Sequence, residues 1–376
     1  MREIFKKYKF IFCVYMILIS LVISSSKPLS AQSDTEALKT RYYFYNGLDY
    51  GSETLINPIR LILNGGLGIL QVDSRSNRLS DIDFKNGADN LWMNLSDPFG
   101  AIGREGAGKF FLNELFPVSL KSNDAHYWPN YTLHLIGGGM SYRMMAEWFE
   151  MHNYGHPRTY SILTISLYHL LNEVVENNKF VGYSADPIAD LYIFDPLGIL
   201  LFNSDRVSRF FSETLNMADW SYQVCYNPEK GSVQNIGQNF VLKYWINDDE
   251  SKGIFYHMGT HGELGLSFRR PGGDCISFGA GLVPKKLIDI SNSTNFRSLT
   301  ADLVVTAGVF YDRHNSLLAS LIYSKSQDYM LRLNLYPGLF KIKNVSPGIF
   351  MSLSQDNDLS FGINFKLFPF GISNTF

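Results

Sequence analysis

Five residues combine chemistry-bearing side chains with a spacing that could bring them together: His134, Glu147, His169, Glu173 and Asp190. His169 and Glu173 stand at i and i+4, so on a helix they share a face, and Ser166 and Glu176 extend the row into one polar stripe. The segment that carries the stripe, Thr159 to Asn177, is otherwise mostly apolar. A helix of that kind sits in a greasy setting with one edge turned to water or to another polar segment. A His and carboxylate cluster beside an apolar belt would suit general acid–base work on a lipid or its headgroup. His169 and Glu173 could also ligate a metal, but the chain has no HExxH and no second histidine at matched spacing. Charge-paired helix packing is therefore preferred, and no metal or cofactor is predicted. Ser166 as a nucleophile has no orienting acid at a suitable distance, and GxSxG is absent.

The stripe needs a partner, and "SADPIADLYIFDPLGILLF", residues 184 to 202, offers three aspartates. Asp186-Pro187 and Asp195-Pro196 each match a helix start, the carboxylate capping free amides and the proline taking the first helical position. Asp186 and Asp195 are accordingly predicted to be structural caps. Asp190 falls inside the first short helix, where an unpaired carboxylate would be costly, and His169 is its expected partner. Upstream, Tyr131 to His152 reads as a helix whose Gly137, Gly138 and Gly139 each cost about 1 kcal/mol against alanine, a cost tolerated for close packing or a bend. "GREGAGK", residues 103 to 109, lacks Walker spacing and reads as a Gly-rich turn.

The stretches "LHLIGGG", "HLLNEVVEN" and "SADPIADLYIFDPLGI" resemble, over residues 130 to 205, an arrangement found in envelope families. These include Gram-negative outer-membrane barrel families of the domain-of-unknown-function type and the teicoplanin-resistance VanZ-like family. The resemblance implies that Glu173, Asp190 and Gly198 form a packed unit. It supplies no reaction.

Composition sets the frame. The formal net charge is −2, which offers no basic footprint for nucleic acid. Aromatics make up 15% and charged residues only 18%, below the roughly 25% charged of a soluble domain. Residues 1–31 have a basic start, an apolar run from Phe10 to Ile23 and a small-residue exit, the shape of a cleaved signal peptide; an uncleaved anchor is the alternative. Of the cysteines beyond it, Cys225 and Cys275, either a disulfide or two free buried thiols is consistent.

After residue 220 the period is two. Leu299, Ala301, Leu303, Val305, Ala307, Val309 and Tyr311 form one wholly apolar row, against Thr300, Asp302, Val304, Thr306, Gly308, Phe310 and Asp312 in the other. The pattern recurs to the C-terminus and predicts about eight or nine antiparallel strands. Aromatics near strand ends, a small polar opposite face and a terminal Phe376, similar to the last-strand signal of outer-membrane barrels, favour one fold class. It is mainly β, an antiparallel transmembrane-type β-barrel of about 10–12 strands with an α-helical insertion serving as plug or periplasmic cap. The alternative is a secreted β-sandwich with a helical subdomain. The expected organisation is signal peptide 1–31, N-terminal strands and Gly/Asn-rich loops 32–128, helical insertion 129–215 and barrel strands 216–376. The functional expectation is an outer-membrane barrel with a structural or transport role, in contact with outer-membrane lipids and a lipid or small-molecule ligand. A lipid- or headgroup-modifying envelope enzyme and a porin-like channel are the alternatives.

Overall fold

The computed structural model describes residues 42–73, 75–116, 130–179, 182–291 and 297–376, and the expected leader lies outside them. Helices come first. Asn57 accepts the amide of Arg60, and Pro58 occupies the first turn of α1 (Pro58–Gly66). This corrects the expectation of N-terminal strands: an Asn-Pro start turns a short apolar run into a helix. Asp83 and Asp97 cap α2 (Phe84–Ser96) and α3 (Pro98–Glu105) in the same way. Gly106, at φ +97°, ends α3, so the glycine-rich stretch is a helix stop followed by a further turn. A π-helical segment, Asn130–Gly138, leads into α4 (Gly139–Met151), and α5 (Pro157–Glu176) follows. Next come a short turn Asp186–Ala189, a π turn Asp190–Phe194 and α6 (Asp195–Phe202). The helical part thus begins at Glu53 rather than at 129 and precedes the sheet instead of interrupting it.

The rest is one 13-stranded sheet in the order β1-β4-β5-β6-β7-β8-β9-β10-β11-β12-β13-β2-β3. Its strands are β1 (Ala218–Asp219), β2 (Cys225–Asn227), β3 (Ser232–Gln234), β4 (Phe240–Trp245), β5 (Lys252–Met258), β6 (Gly262–Arg269), β7 (Asp274–Ser291), β8 (Arg297–Arg313), β9 (Ser316–Ser324), β10 (Leu331–Leu335), β11 (Gly348–Leu353), β12 (Leu359–Asn364) and β13 (Gly371–Thr375). Every pairing is antiparallel except β13 with β2. The β8–β9 turn runs through His314 and Asn315, both at positive φ, as a tight hairpin requires.

The alternation governs which row faces out. In β8, Leu303, Val305 and Val309 are 36%, 52% and 43% exposed, while Thr306, Phe310 and Asp312 are buried. The same inversion puts Leu321 and Tyr323 outside and Ser320 and Ser324 inside, Leu331 outside and Arg332 inside, Ile363 outside and Asn364 inside. Inside, Trp220, Tyr222, Phe255, Phe310 and Tyr336 pack together. Lys243 reaches Asp312 at 2.5 Å and lies 4.7 Å from the Trp220 ring centre. Cys225 and Cys275 are free and buried, so the disulfide option is excluded.

Phe240, Leu242, Tyr256 and Met258 belong to the row opposite to Val241, Lys243, Phe255 and His257, and they pack with Met140, Met144 and Tyr168 of α4 and α5. Helices α4 and α5 therefore lie against the outward row of β4 and β5, while Leu55, at the start of the helical part, packs with Trp220, Phe255 and Phe310, and Gln71 accepts from the inward Arg332.

Three glycines allow that approach. A Cβ on Gly137 would lie 2.4 Å from the Phe240 ring, on Gly138 3.0 Å from the His169 ring, and on Gly139 2.6 Å from the Gly198 carbonyl oxygen. A Cβ on Gly198 would lie 2.5 Å from the Leu135 carbonyl oxygen. These contacts bear out the close packing expected of the glycine run. Gly198→Ala and Gly139→Ala should each destabilise by about 1–3 kcal/mol, because the opposing atoms are backbone and cannot rotate away. Gly103→Ala in α3, with open space around it, should be neutral or stabilising by up to about 1 kcal/mol. Thermal unfolding of the three variants checks the ranking.

Candidate functional site

Four of the five candidate residues converge. The π segment presents His134, α5 presents His169 and Glu173, the second π turn presents Asp190, and α6 adds Asp195. Each is buried. A π turn inserts a residue into the helical register and re-aims a side chain, which is why such turns gather at functional positions. Here both π turns deliver a member of the cluster.

Asp195 sits at the centre. Its Oδ1 lies 2.9 Å from His134 Nδ1 and its Oδ2 2.6 Å from His169 Nδ1. The other nitrogen of His134, Nε2, is 3.3 Å from Asp190 Oδ2. The two imidazoles stack with centroids 4.5 Å apart. Glu173 shares one group with His134 and Asp190, their ligand atoms lying within 4.8 Å of one another.

Two expectations are corrected by this geometry. Asp195 is not a cap: the backbone from Ala185 through Asp195 is helical, the residue at the N-cap of α6 is Phe194, and no side chain caps it. Asp186 is not a cap either, because the turn it opens has Ala185 at its N-cap. Asp186 instead joins a carboxylate group with Glu173 and Glu176. The second correction concerns pairing. The partner of His169 is Asp195, whereas Asp190 faces His134.

Glu147 stands apart from the cluster. It accepts the backbone amides of Tyr43 at 3.0 Å, Phe44 at 2.8 Å and Tyr45 at 3.0 Å, and the Arg143 guanidinium at 2.9 Å. Its work is to pin the N-terminal segment to α4. Gly198 and Asp190 both touch the His134 segment, directly or through the imidazole, so the packed unit expected from Glu173, Asp190 and Gly198 forms around His134.

Electrostatics separates the carboxylates. Burial pushes Asp195 upward most, yet His169 and His134 together outweigh it and hold the group below its ordinary range. Asp190 is raised well above that range, first by burial and then by Asp186, Glu173, Asp195 and Glu114. Burial lowers His169 against the pull of Asp195. One cluster therefore holds two carboxylates pushed in opposite directions beside an imidazole pushed down, the divergence that marks a candidate acid–base or ion-binding site.

A second group was not anticipated. His257 on β5, His261 in the following turn and Glu263 on β6 meet inside the sheet. His261 Nε2 is 2.8 Å from His257 Nδ1, and Glu263 accepts Thr306 Oγ1 at 2.8 Å. The available signal was parity: His257 and Glu263 are directly opposed across β5 and β6 and both fall in the inward row. A cavity of about 610 Å³ lies where the turns after β4, β6 and β8 meet, lined by Lys243, Arg269, Arg270, Asp312 and His314 among others; none of the helical cluster lines it.

Glu105 and Glu114 flank the cluster. Burial and then Asp186 raise Glu105 to about 7; burial, then Asp186 and Glu105, raise Glu114 well above its usual value. Both bind a proton more tightly folded than unfolded. Their stabilising contribution is complete below the unfolded value near 4.5 and is lost as pH rises through about 7 and beyond. The melting temperature should fall across that interval, and Glu105→Gln with Glu114→Gln should flatten the slope. An unchanged slope in the double variant would remove these two groups as its cause.

Comparison with family models, with curated proteins and with solved structures found no match for this chain.

Proposed function

We propose that this protein is an outer-membrane-type β-barrel whose sheet faces lipid, with a helical domain docked on its outer side. The observation that carries the reading is the inversion of faces: the apolar row points outward and the polar row is buried. A sheet whose two faces were those of a water-soluble sandwich would bury the leucines instead. Signal-like residues at the start of the sequence fit the same location. Among the described residues no helix is long and apolar enough to cross a membrane, so the sheet is the element assigned to lipid.

Closure into a barrel is supported by register. The pairings of β1 with β4 and of β2 with β3 follow one hairpin, bridged by Trp220 N–H to Asn239 O at 2.8 Å and Tyr222 N–H to Gly237 O at 3.1 Å. One arm of this hairpin continues to β5 and the other to β13. If β1 continues into β2 and β3 into β4, the thirteen strands of the sheet would form an eleven-strand circuit, which is the barrel proposed. A porin-like channel fits less well, because Trp220, Phe255, Phe310 and Tyr336 occupy the interior.

A second reading rests on a separate observation, the convergence of His134, His169, Asp190, Asp195 and Glu173. It makes the helical domain a lipid- or headgroup-modifying envelope enzyme. Leu163 and Leu167 on α5, and Leu197, Leu200 and Leu201 on α6, are exposed while His169 and Asp195 on the same helices are buried. The cluster thus lies one helix thickness from an apolar surface that a lipid could cover.

Val305→Arg and Leu321→Arg separate lipid from water. Both sites are exposed, so in a water-soluble protein arginine should be nearly neutral, within about 0.5 kcal/mol. Facing the bilayer midplane it should cost about 2–4 kcal/mol. The expected result is loss of the heat-modifiable, outer-membrane-associated form and a lower unfolding midpoint in lipid vesicles. Neutral behaviour, or recovery of the native protein from the soluble periplasm, defeats the barrel reading.

A further inference from the structure

We propose that His134 Nδ1, His169 Nδ1 and the Asp195 carboxylate together bind one divalent transition-metal ion, with Asp190 holding the far nitrogen of His134. The proposal deepens the second reading above and is independent of the sheet's relation to the membrane.

The donor set comes from three separate helical segments and is buried, with ligand atoms of His134, His169 and Asp195 within 4.8 Å of one another. Ligands about 2.0–2.2 Å from a common ion lie within such separations. Contact geometry favours a shared third atom over a simple ion pair. His169 Nδ1 is 2.6 Å from Asp195 Oδ2, yet neither atom has a partner in hydrogen-bonding orientation, and His169 Nε2 has none either. Ligand atoms of these two residues and of His134 lie within 4.8 Å of one another, and an ion among them would engage the ones that make no hydrogen bond.

The second observation concerns His134. One nitrogen faces Asp195 and the other lies 3.3 Å from Asp190 Oδ2. A carboxylate on the outer nitrogen fixes the tautomer and leaves the inner nitrogen free to coordinate, the usual support for a metal-bound imidazole. Gly138 completes the fit: the space where its Cβ would be is 3.0 Å from His169 Cε1, so any larger residue would press on the ring. Two imidazoles and one carboxylate suit zinc, manganese or iron and disfavour calcium or magnesium, which prefer all-oxygen shells. Three protein ligands leave a coordination position for water or substrate.

The test uses the tag-free, full-length protein in detergent, stripped with chelator and titrated with Co²⁺ followed by calorimetry and visible absorption. The expected result is one Co²⁺ per chain with a ligand-field band, displaced by Zn²⁺. His169→Gln and Asp195→Asn should weaken binding by more than about 100-fold, and Asp190→Asn, acting through His134, by about 10–100-fold. His156→Gln, at an exposed histidine, should bind as wild type. A folded wild type that takes up no Co²⁺, or one whose uptake survives both His169→Gln and Asp195→Asn, overturns the proposal. Wild-type binding is read before any variant, so a variant that fails to fold does not leave the question open. Metal bound without any change in envelope lipids between wild-type and deletion strains would count against the enzyme reading alone. A lipid change abolished by Asp195→Asn in a protein that binds no metal would count against the metal alone.

Discussion

Everything else in this structure depends on one constraint, that each strand presents its apolar row outward. The inward row must then satisfy its own polar groups in a narrow space, since an unmade bond there costs about 1–3 kcal/mol. Much of it pairs across strands. Lys243 meets Asp312, Ser267 meets Ser277 at 2.6 Å, and Glu263 takes the Thr306 hydroxyl. Gln223 donates to the carbonyls of Leu335 and Ile349, and Asn235 donates to Asn334. Arg332 lies over the rings of both Tyr222 and Tyr329. Such a network tolerates little change of register, because a slip by one residue would exchange the two rows at every strand.

The outward row also decides where the helices go. A helical domain can bury apolar surface only against apolar surface, and the outer face of β4 and β5 supplies it through Phe240, Leu242, Tyr256 and Met258. Docking there brings the glycine run into use in three directions. Gly137 meets the sheet, Gly138 meets His169 and Gly139 meets the turn of α6 at Gly198. The position of His134, three residues before Gly137, follows from that wedge. Its imidazole is carried into the space between α5 and α6, where Asp195 and Asp190 wait on one helical path. Sheet inversion, helix docking and the convergence of ionisable groups are thus successive consequences of one pattern.

How much of this was legible depends on the distance over which each signal acts. The alternation of β8 and the polar stripe of α5 are periodicities within one element, and both appear in the structure as they read in the sequence. The three glycines could be read as close packing, though not as packing against Phe240, about a hundred residues away in sequence. The stretch from Asn57 to Gly66 was misread because short apolar runs do not distinguish strand from helix, and the decisive feature was the Asn-Pro pair at its start. Asp195 was misread for the opposite reason: Asp-Pro satisfies the local rule for a helix start, but the helix was already under way and its carboxylate was claimed by two histidines from other segments. Neither π turn leaves a trace in periodicity, so the re-aiming of His134 and Asp190 was invisible. Glu147 looked like a member of the cluster by type alone, and only the three amides of Tyr43, Phe44 and Tyr45 show its role.

Two buried charged assemblies in the same molecule show what separates scaffold from chemistry. Lys243 and Asp312 close on each other: the ammonium lies over Trp220, and Asp312 also accepts the Asn315 amide at 3.1 Å. Such a pair is complete, and replacing it with well-packed apolar residues would often be neutral or stabilising. The helical cluster is incomplete in a particular way. Asp190 Oδ1 and His169 Nε2 are buried without hydrogen-bond partners, and His169 Nδ1 and Asp195 Oδ2 meet as an ion pair without hydrogen-bond alignment. Burial of unmatched polar atoms lowers stability, and packing alone gives no reason to keep them. The glycine run adds further cost, since three adjacent glycines in a helix forgo about 1 kcal/mol each. A fold that accepts both costs where separate helical segments converge places unmatched donors and acceptors where a ligand can use them.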